Sequence, residues 1–258
     1  MKSAIICEGS TDLVLIQYFL EKTYGWTYTK DQNTFKVNSA KSYIWLNNNE
    51  DYLCIINSGG VSKLLDQLDW LLLFNKNLFD DASRFDKIVL VSDHDEPDTI
   101  TNFVDNISSI FRKYSITSTN ELENDEWFNG TYFPLQQEKR IDFLMLIIPF
   151  EGNGAIENFL LNALKDDSSL NDPDKVIFSI VEQCEEFIDN LDVKDKFLKK
   201  RREKLKAKFS TVFVVLTPAE AFTQRKTLLQ SANWEDYLAI QSAFSKFLDL
   251  KSRDYVVT

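Results

Sequence analysis

Asp86-Lys-Ile-Val-Leu-Val-Ser-Asp93-His94-Asp95 is the stretch that decides the fold. Residues 86–92 form a short apolar run rich in β-branched side chains and bounded by charge. That is the pattern of a strand buried on both faces of a parallel sheet. Similar runs lie on either side. Residues 3–7, Ser-Ala-Ile-Ile-Cys, predict a strand ending at Glu8-Gly9. Ser10-Thr11-Asp12 then supplies capping chemistry for a helix from Leu13 to Lys22, with Leu13, Ile16 and Leu20 on one face. Residues 52–56 predict a strand ending at Ser58-Gly59-Gly60, and a Leu-rich helix follows over 61–75. Downstream, Ile100, Phe103, Val104, Ile107 and Phe111 keep a helical period over 99–114. Residues 140–148 read as a further strand closed by Pro149, with Gly152 and Gly154 in the turn. A helix over 155–165 then presents Ile156, Phe159, Leu160 and Ala163.

Alternating strand and helix predicts an α/β domain, a mostly parallel sheet flanked by helices, over residues 1–168. Residues 34–46 alternate loosely and predict a hairpin, and 115–130 read as a polar surface loop. From 172 onward the pattern turns helical, so 169–258 are expected to form a helical C-terminal part packed on the sheet. Residues 209–216 are two-sided. Their β-branched content favours a strand, but Phe197, Leu205, Phe209, Val212 and Leu216 keep a helical period, which favours a helix.

Composition narrows the function. The chain has 258 residues with a formal charge of −11, which argues against coating nucleic acid by charge alone. A single histidine, His94, removes every motif that needs two, zinc proteases and Cys2His2 fingers included. Flanked by Asp93 and Asp95, its side chain is expected to point away from theirs and to be structural. Cys7, Cys54 and Cys184 are widely spaced and odd in number, which fits reduced thiols in a cytoplasmic protein. No signal peptide pattern opens the sequence, and the longest apolar runs are well short of the ~20 residues that span a bilayer.

The acids are the informative feature. Glu8 follows the first strand, Asp93 and Asp95 the central one, and Glu151 and Glu157 flank the turn after the later one. Ligands of open α/β sheets bind outside the carboxyl ends of the strands. Three such ends would bring these acids together, and Asp93 and Asp95, two apart, would point the same way. Their mutual repulsion calls for a cation, and a hard ion such as Mg2+ or Mn2+ suits carboxylates and phosphates. The plainer reading is that the acids end strands and favour helix N-termini; Asp12, Glu96, Asp98 and Glu157 all sit where a helix dipole would welcome them.

Glu8-Gly9-Ser10-Thr11-Asp12, Gly59-Gly60, Asp93-His94-Asp95 and Gly152-x-Gly154-x-x-Glu157, each after a predicted strand, resemble a TOPRIM domain. The resemblance is nearest the nuclease-like branch, the overcoming-lysogenization-defect type, and stand-alone TOPRIM-like bacterial proteins. It covers roughly residues 1–165, and more weakly the basic segment and the tail from Trp234. It implies hydrolysis of nucleic-acid phosphodiesters with one or two Mg2+ or Mn2+ ions. Glu8 would share metal binding with proton transfer, and Asp93 and Asp95 would hold Mg2+. Asp12, with Glu157 or Glu151, would hold a second ion about 4 Å away. A downstream lysine used by that branch would be Lys206 or Lys208. The chain departs from better-known relatives in having no P-loop motif, no primase-like zinc motif, and too little length for a topoisomerase gate.

Residues 194–208 hold nine bases against Asp195 and Glu203, net +7, which leaves −18 in the rest. Such a run is ordinarily a solvated helix face. Placed beside a metal site, Lys199, Lys200, Arg201, Arg202 and Lys204 would contact phosphates without reading sequence. Two other readings stand beside the nuclease. An apolar strand ending in Asp-x-Asp also marks phosphatases and nucleotide-sugar transferases, although Pro97 stands where the phosphatase pattern wants Thr or Val. A non-catalytic TOPRIM-like module in a defence or toxin-type system would pair instead with a protein partner such as an ATPase encoded nearby.

Overall fold

Alternate residues of the central strands enter two different cores. Ile5 and Cys7 of β1 (Lys2–Cys7) and Val89 and Val91 of β5 (Lys87–Asp93) face one; Ala4, Ile6, Ile88 and Leu90 face the other. Helices cover both faces, which is why these strands read as unbroken apolar runs rather than alternating ones. The computed structural model describes residues 1–30, 40–78, 83–150, 152, 154–166, 176–191, 196–217, 229–230 and 232–252.

Among the described residues the chain forms an eight-stranded sheet. Its further strands are β2 (Thr27–Thr29), β3 (Ser42–Asn48), β4 (Asp51–Asn57), β6 (Thr117–Ser118), β7 (Trp127–Tyr132) and β8 (Lys139–Ile148). The order is β2-β3-β4-β1-β5-β8-β7-β6. β4, β1, β5 and β8 are parallel neighbours, whereas β2, β3, β6 and β7 join through antiparallel pairings. Only β3 and β7 run against the other strands, so the expected mostly parallel α/β sheet is the one observed.

The face carrying Ile5 and Val89 is covered by α1 (Ser10–Tyr24), α4 (Ile156–Asp166), α5 (Val176–Leu191), α6 (Arg201–Leu216) and α7 (Leu238–Ala243). α2 (Val61–Asn77) and α3 (Thr99–Lys113) cover the other. α1 buries Leu15, Tyr18 and Phe19 as well as the expected Leu13, Ile16 and Leu20. The extra burial arises because C-terminal residues, among them Trp234, Phe244 and Phe247, pack in the same core. The helix expected over 209–216 is present as the second half of α6, with Phe209, Val212 and Phe213 buried. Phe197 lies outside it and is 75% exposed. The helix starts at Arg201 because Lys200 is extended and its N–H donates to the Glu203 carboxylate at 3.0 Å.

One expectation is corrected. Residues 115–130 are not a plain surface loop: β7 pairs antiparallel with β8, and Phe128, Gly130 and Tyr132 alternate inward. A Cβ on Gly130 would lie 2.9 Å from Ile116 Cγ2, so close packing, rather than turn chemistry, explains that glycine. Of the hairpin expected within 34–46, residues 42–46 lie in β3, which pairs with β4 across a turn at Asn49 with φ of 54°. Residues 34–39 lie outside the described residues.

Candidate functional site

β1 and β5 are adjacent and parallel, with Cys7 opposite Val91, so their carboxyl ends open side by side. Glu8 is the first residue beyond β1. Its backbone is pinned by the turn after β4, where the N–H groups of Gly59 and Gly60 both donate to the Glu8 carbonyl, at 3.0 and 2.9 Å. Those two residues adopt φ of +83° and +137°, which glycine reaches without a Cβ penalty. Asp93 ends β5, and its Oδ1 accepts the N–H of Ile156 at 2.8 Å, tying the strand to the start of α4. Carboxylate oxygens of Glu8, Asp93 and Asp95 all lie within 4.8 Å of one another.

Arg202 stands among these acids. Its Nη2 donates to Glu8 Oε1 at 2.6 Å and to Asp93 Oδ2 at 2.7 Å. The Glu203 cap fixes where α6 begins and hence which way its second residue, Arg202, faces. One oxygen, Glu8 Oε2, is buried and has no hydrogen-bond partner. A buried acceptor left unmade costs about 1–3 kcal/mol. Burial, then the charges of Asp12 and Glu8, push the Asp93 carboxyl well above the usual carboxylate range; the Ile156 bond and Arg202 pull the other way. Asp12 is also raised, by burial and by the charges of Glu8 and Glu157, against its bond from the Gly9 N–H. Burial works against the charge on Arg202, but the Glu8 bond and the charges of Asp93 and Asp95 more than offset it, so the guanidinium is held firmly ionised.

Two hollows meet at Asp93. The first, of about 220 Å3, is lined by the acids Glu8, Asp12, Asp93 and Glu157 and by the bases Lys41, Arg202 and Lys206. The second, of about 350 Å3, lies between the first turns of α2 and α3 and also takes in Asp95.

The expected site residues divide clearly. Glu8, Asp93 and Asp95 converge. Asp12 and Glu157 are buried in the same cavity, but Asp12 Oδ2 already caps its own helix, accepting from Gly9 at 2.7 Å. Glu151 lies outside the described residues. Lys206 reaches the cavity, whereas Lys208 points to α5, paired with Asp189 at 2.8 Å. Arg202, expected on phosphates, is bonded to the acids instead, because it is the cation placed to neutralise two buried carboxylates. Arg201 reaches the Asp95 carbonyl at 3.5 Å. Lys199, Lys200 and Lys204 are not in the cavity wall. The His94 ring turns away from the acids, Nδ1 lying 3.1 Å from the Pro149 carbonyl. Lys41 and Asn57 were not anticipated. Asn57 ends β4 beside Gly59-Gly60, a cue of position, while nothing local marks Lys41.

Residues 2–250 match the family described as Protein of unknown function (DUF3226), and the chain belongs to that family. Among solved structures it is similar to the hypothetical protein PH0156 of Pyrococcus horikoshii OT3, at 15% identity and a TM-score of 0.52. That likeness covers 96% of this chain and 99% of the other, and it shows a shared fold. No curated protein matches.

Proposed function

We propose that the chain hydrolyses phosphodiester bonds of nucleic acid with a divalent cation, Mg2+ or Mn2+, as its resemblance to nuclease-like TOPRIM domains implies. The observation that carries this reading is the convergence of Glu8, Asp93 and Asp95 within 4.8 Å at two neighbouring strand ends, with Glu8 Oε2 buried and unpartnered. An orphaned carboxylate oxygen among clustered, largely buried acids is the donor set a hard cation fits. Glu8, Asp93 and Asp95 would hold the ion, with Asp12 and Glu157 beside them. When bound, it supplies Lewis-acid polarisation of a phosphoryl oxygen and a more acidic water.

The chain's own residues have definite tasks around it. The Ile156 N–H orients the Asp93 carboxylate, and the glycine turn fixes the backbone from which Glu8 projects. Lys206 and Lys41 place positive charge along the same cavity, where a phosphate would enter. Arg202 neutralises Glu8 and Asp93 while no other cation does so, and competes with any that arrives. Relieved of that role, its guanidinium, which lines the same cavity, would be available to a phosphate, as the fork geometry of arginine suits. Cys7, Cys54 and Cys184 are buried and form no disulfide, which fits a reducing, cytoplasmic setting. No helix among the described residues is long and apolar enough to cross a membrane.

One observation favours a second reading. Arg202 already neutralises the pair, as suits a non-catalytic module that works through a protein partner, an ATPase being one such class. Mn2+ calorimetry combined with cleavage of plasmid and RNA separates the two. Heat of binding with metal-dependent cleavage supports the hydrolase; neither, on any substrate, removes it.

A further inference from the structure

We infer that the hollow between α2 and α3 is a nucleobase site, seating the base of a nucleotide whose phosphate lies across Asp93 in the acid cavity. The inference deepens the hydrolase reading and rests on it for the identity of the phosphate. The two hollows share Asp93 as a common wall, so one ligand can occupy both. Their chemistries are complementary. Lys41, Arg202 and Lys206 line the acid cavity, whereas no lysine or arginine among the described residues lines the second hollow, and Asp93 and Asp95 close one end of it. A phosphate is repelled there and a neutral heterocycle is not. Val61, Leu65 and Phe103 supply apolar walls, and about 350 Å3 falls within the roughly 300–1,000 Å3 range of small-ligand sites.

The polar groups are those that read a base edge. Asn102 and Asn106 lie one turn apart on α3 and both line the hollow. A carboxamide offers a donor and an acceptor side by side, the pairing that matches adenine. Asn106 Nδ2 donates to the Asn102 carbonyl at 2.7 Å, leaving its Oδ1 for the ligand. Thr99 Oγ1 accepts from the Glu96 N–H at 2.9 Å, so its own proton is free to be donated inward. A base can enter only when unstacked, so the substrate would be single-stranded or locally opened nucleic acid.

The test compares adenosine 5′-monophosphate with ribose 5-phosphate by calorimetry on the full chain with Mn2+. The two probes share the phosphate and sugar and differ in the base. The nucleotide is expected to bind about tenfold more tightly or better, the discrimination of one good bidentate pair. The exposed double variant Asn102→Ala, Asn106→Ala is expected to bring the two affinities together, and Leu65→Trp, which fills the hollow, to do the same. Equal affinities in the unaltered chain, or no binding of either probe, would overturn the base site. A preference that survives both variants would overturn it too. Mn2+ titration alone reads the metal proposal. Mn2+ bound with equal probe affinities removes the base site only. No Mn2+ bound with the base preference intact removes the metal reading only.

Discussion

On one side of Asp93 the chain lines a cavity with four carboxylates, glycine and three cations; on the other it lines a larger hollow with hydrocarbon, hydroxyls, two carboxamides and the Asp93 and Asp95 carboxylates, with no cation among the described residues. The difference follows from which helices cover each face of the sheet. α2 and α3 are close in sequence to the strands they flank. Their first turns meet over the end of β5 without bringing a charge to balance Asp93. The opposite face receives α6, which begins more than a hundred residues after Asp93 and delivers Arg202 to it. One strand end thus serves a compartment whose acids are opposed by bases and one whose acids are not, and the arginine decides which side is neutralised.

The sharpest way to break that contrast is to remove the acids. Asp93→Asn with Asp95→Asn is expected to lower metal-dependent cleavage by at least about a hundredfold and to abolish the calorimetric signal for Mn2+. Full cleavage by the double variant would place catalysis elsewhere. Next in size is Arg202→Ala. With its competitor gone, Mn2+ should bind about tenfold more tightly. The metal-free protein should melt lower, because two buried carboxylates lose their counter-charge. An unchanged Mn2+ affinity would show that guanidinium and cation do not share a place.

A third prediction concerns pH. Asp93 and Asp12 are raised above their unfolded values by burial and by neighbouring acids. The folded state therefore binds more protons than the unfolded one, and stability falls as pH rises through the raised range. Metal-free protein is expected to melt at a higher temperature at about pH 6 than at about pH 8, with saturating Mn2+ shrinking the gap. A melting temperature that rises with pH over that range would contradict the buried repulsion. The smallest effect separates two lysines of α6. Lys206→Ala should weaken nucleic-acid binding several-fold and lower its salt slope by about one. Lys208→Ala should leave both unchanged, losing only a partly exposed pair worth about 1 kcal/mol or less. Equal losses from both would place nucleic acid along the whole basic helix rather than in the cavity.

Much of this was legible along the chain. Apolar runs located β1, β4, β5 and β8, and the helical period of Phe103, Ile107 and Phe111 located α3 and its buried face. The Asp-x-Asp pair and Glu8 were identifiable as one cluster, because strand ends of a parallel sheet collect on one side. Strand β7, next to the sheet edge, was not, since Trp127–Tyr132 is polar on its outer face and its partner, β8, lies beyond a turn. Arg202 was readable as a base but not as a partner of Glu8. That pairing joins residues 194 positions apart, and no local pattern distinguishes it from Lys208 six residues on. Asn102 and Asn106 sat unnoticed on the polar face of a helix whose apolar face carried the signal.

By itself, the sequence determined the central strands and the helices between them, the α/β alternation and the convergence of three acids, because hydrophobic period and strand-end position act locally and repeat along the chain. Only the tertiary structure decided which base neutralises those acids, which lysine faces the cavity, and that a second hollow, without lysine or arginine among the described residues, shares the Asp93 wall. Those outcomes depend on how α6 docks across the sheet and how α2 meets α3. Both are set by packing between segments far apart in the chain, where burial and charge balance are settled by neighbours the local sequence does not name.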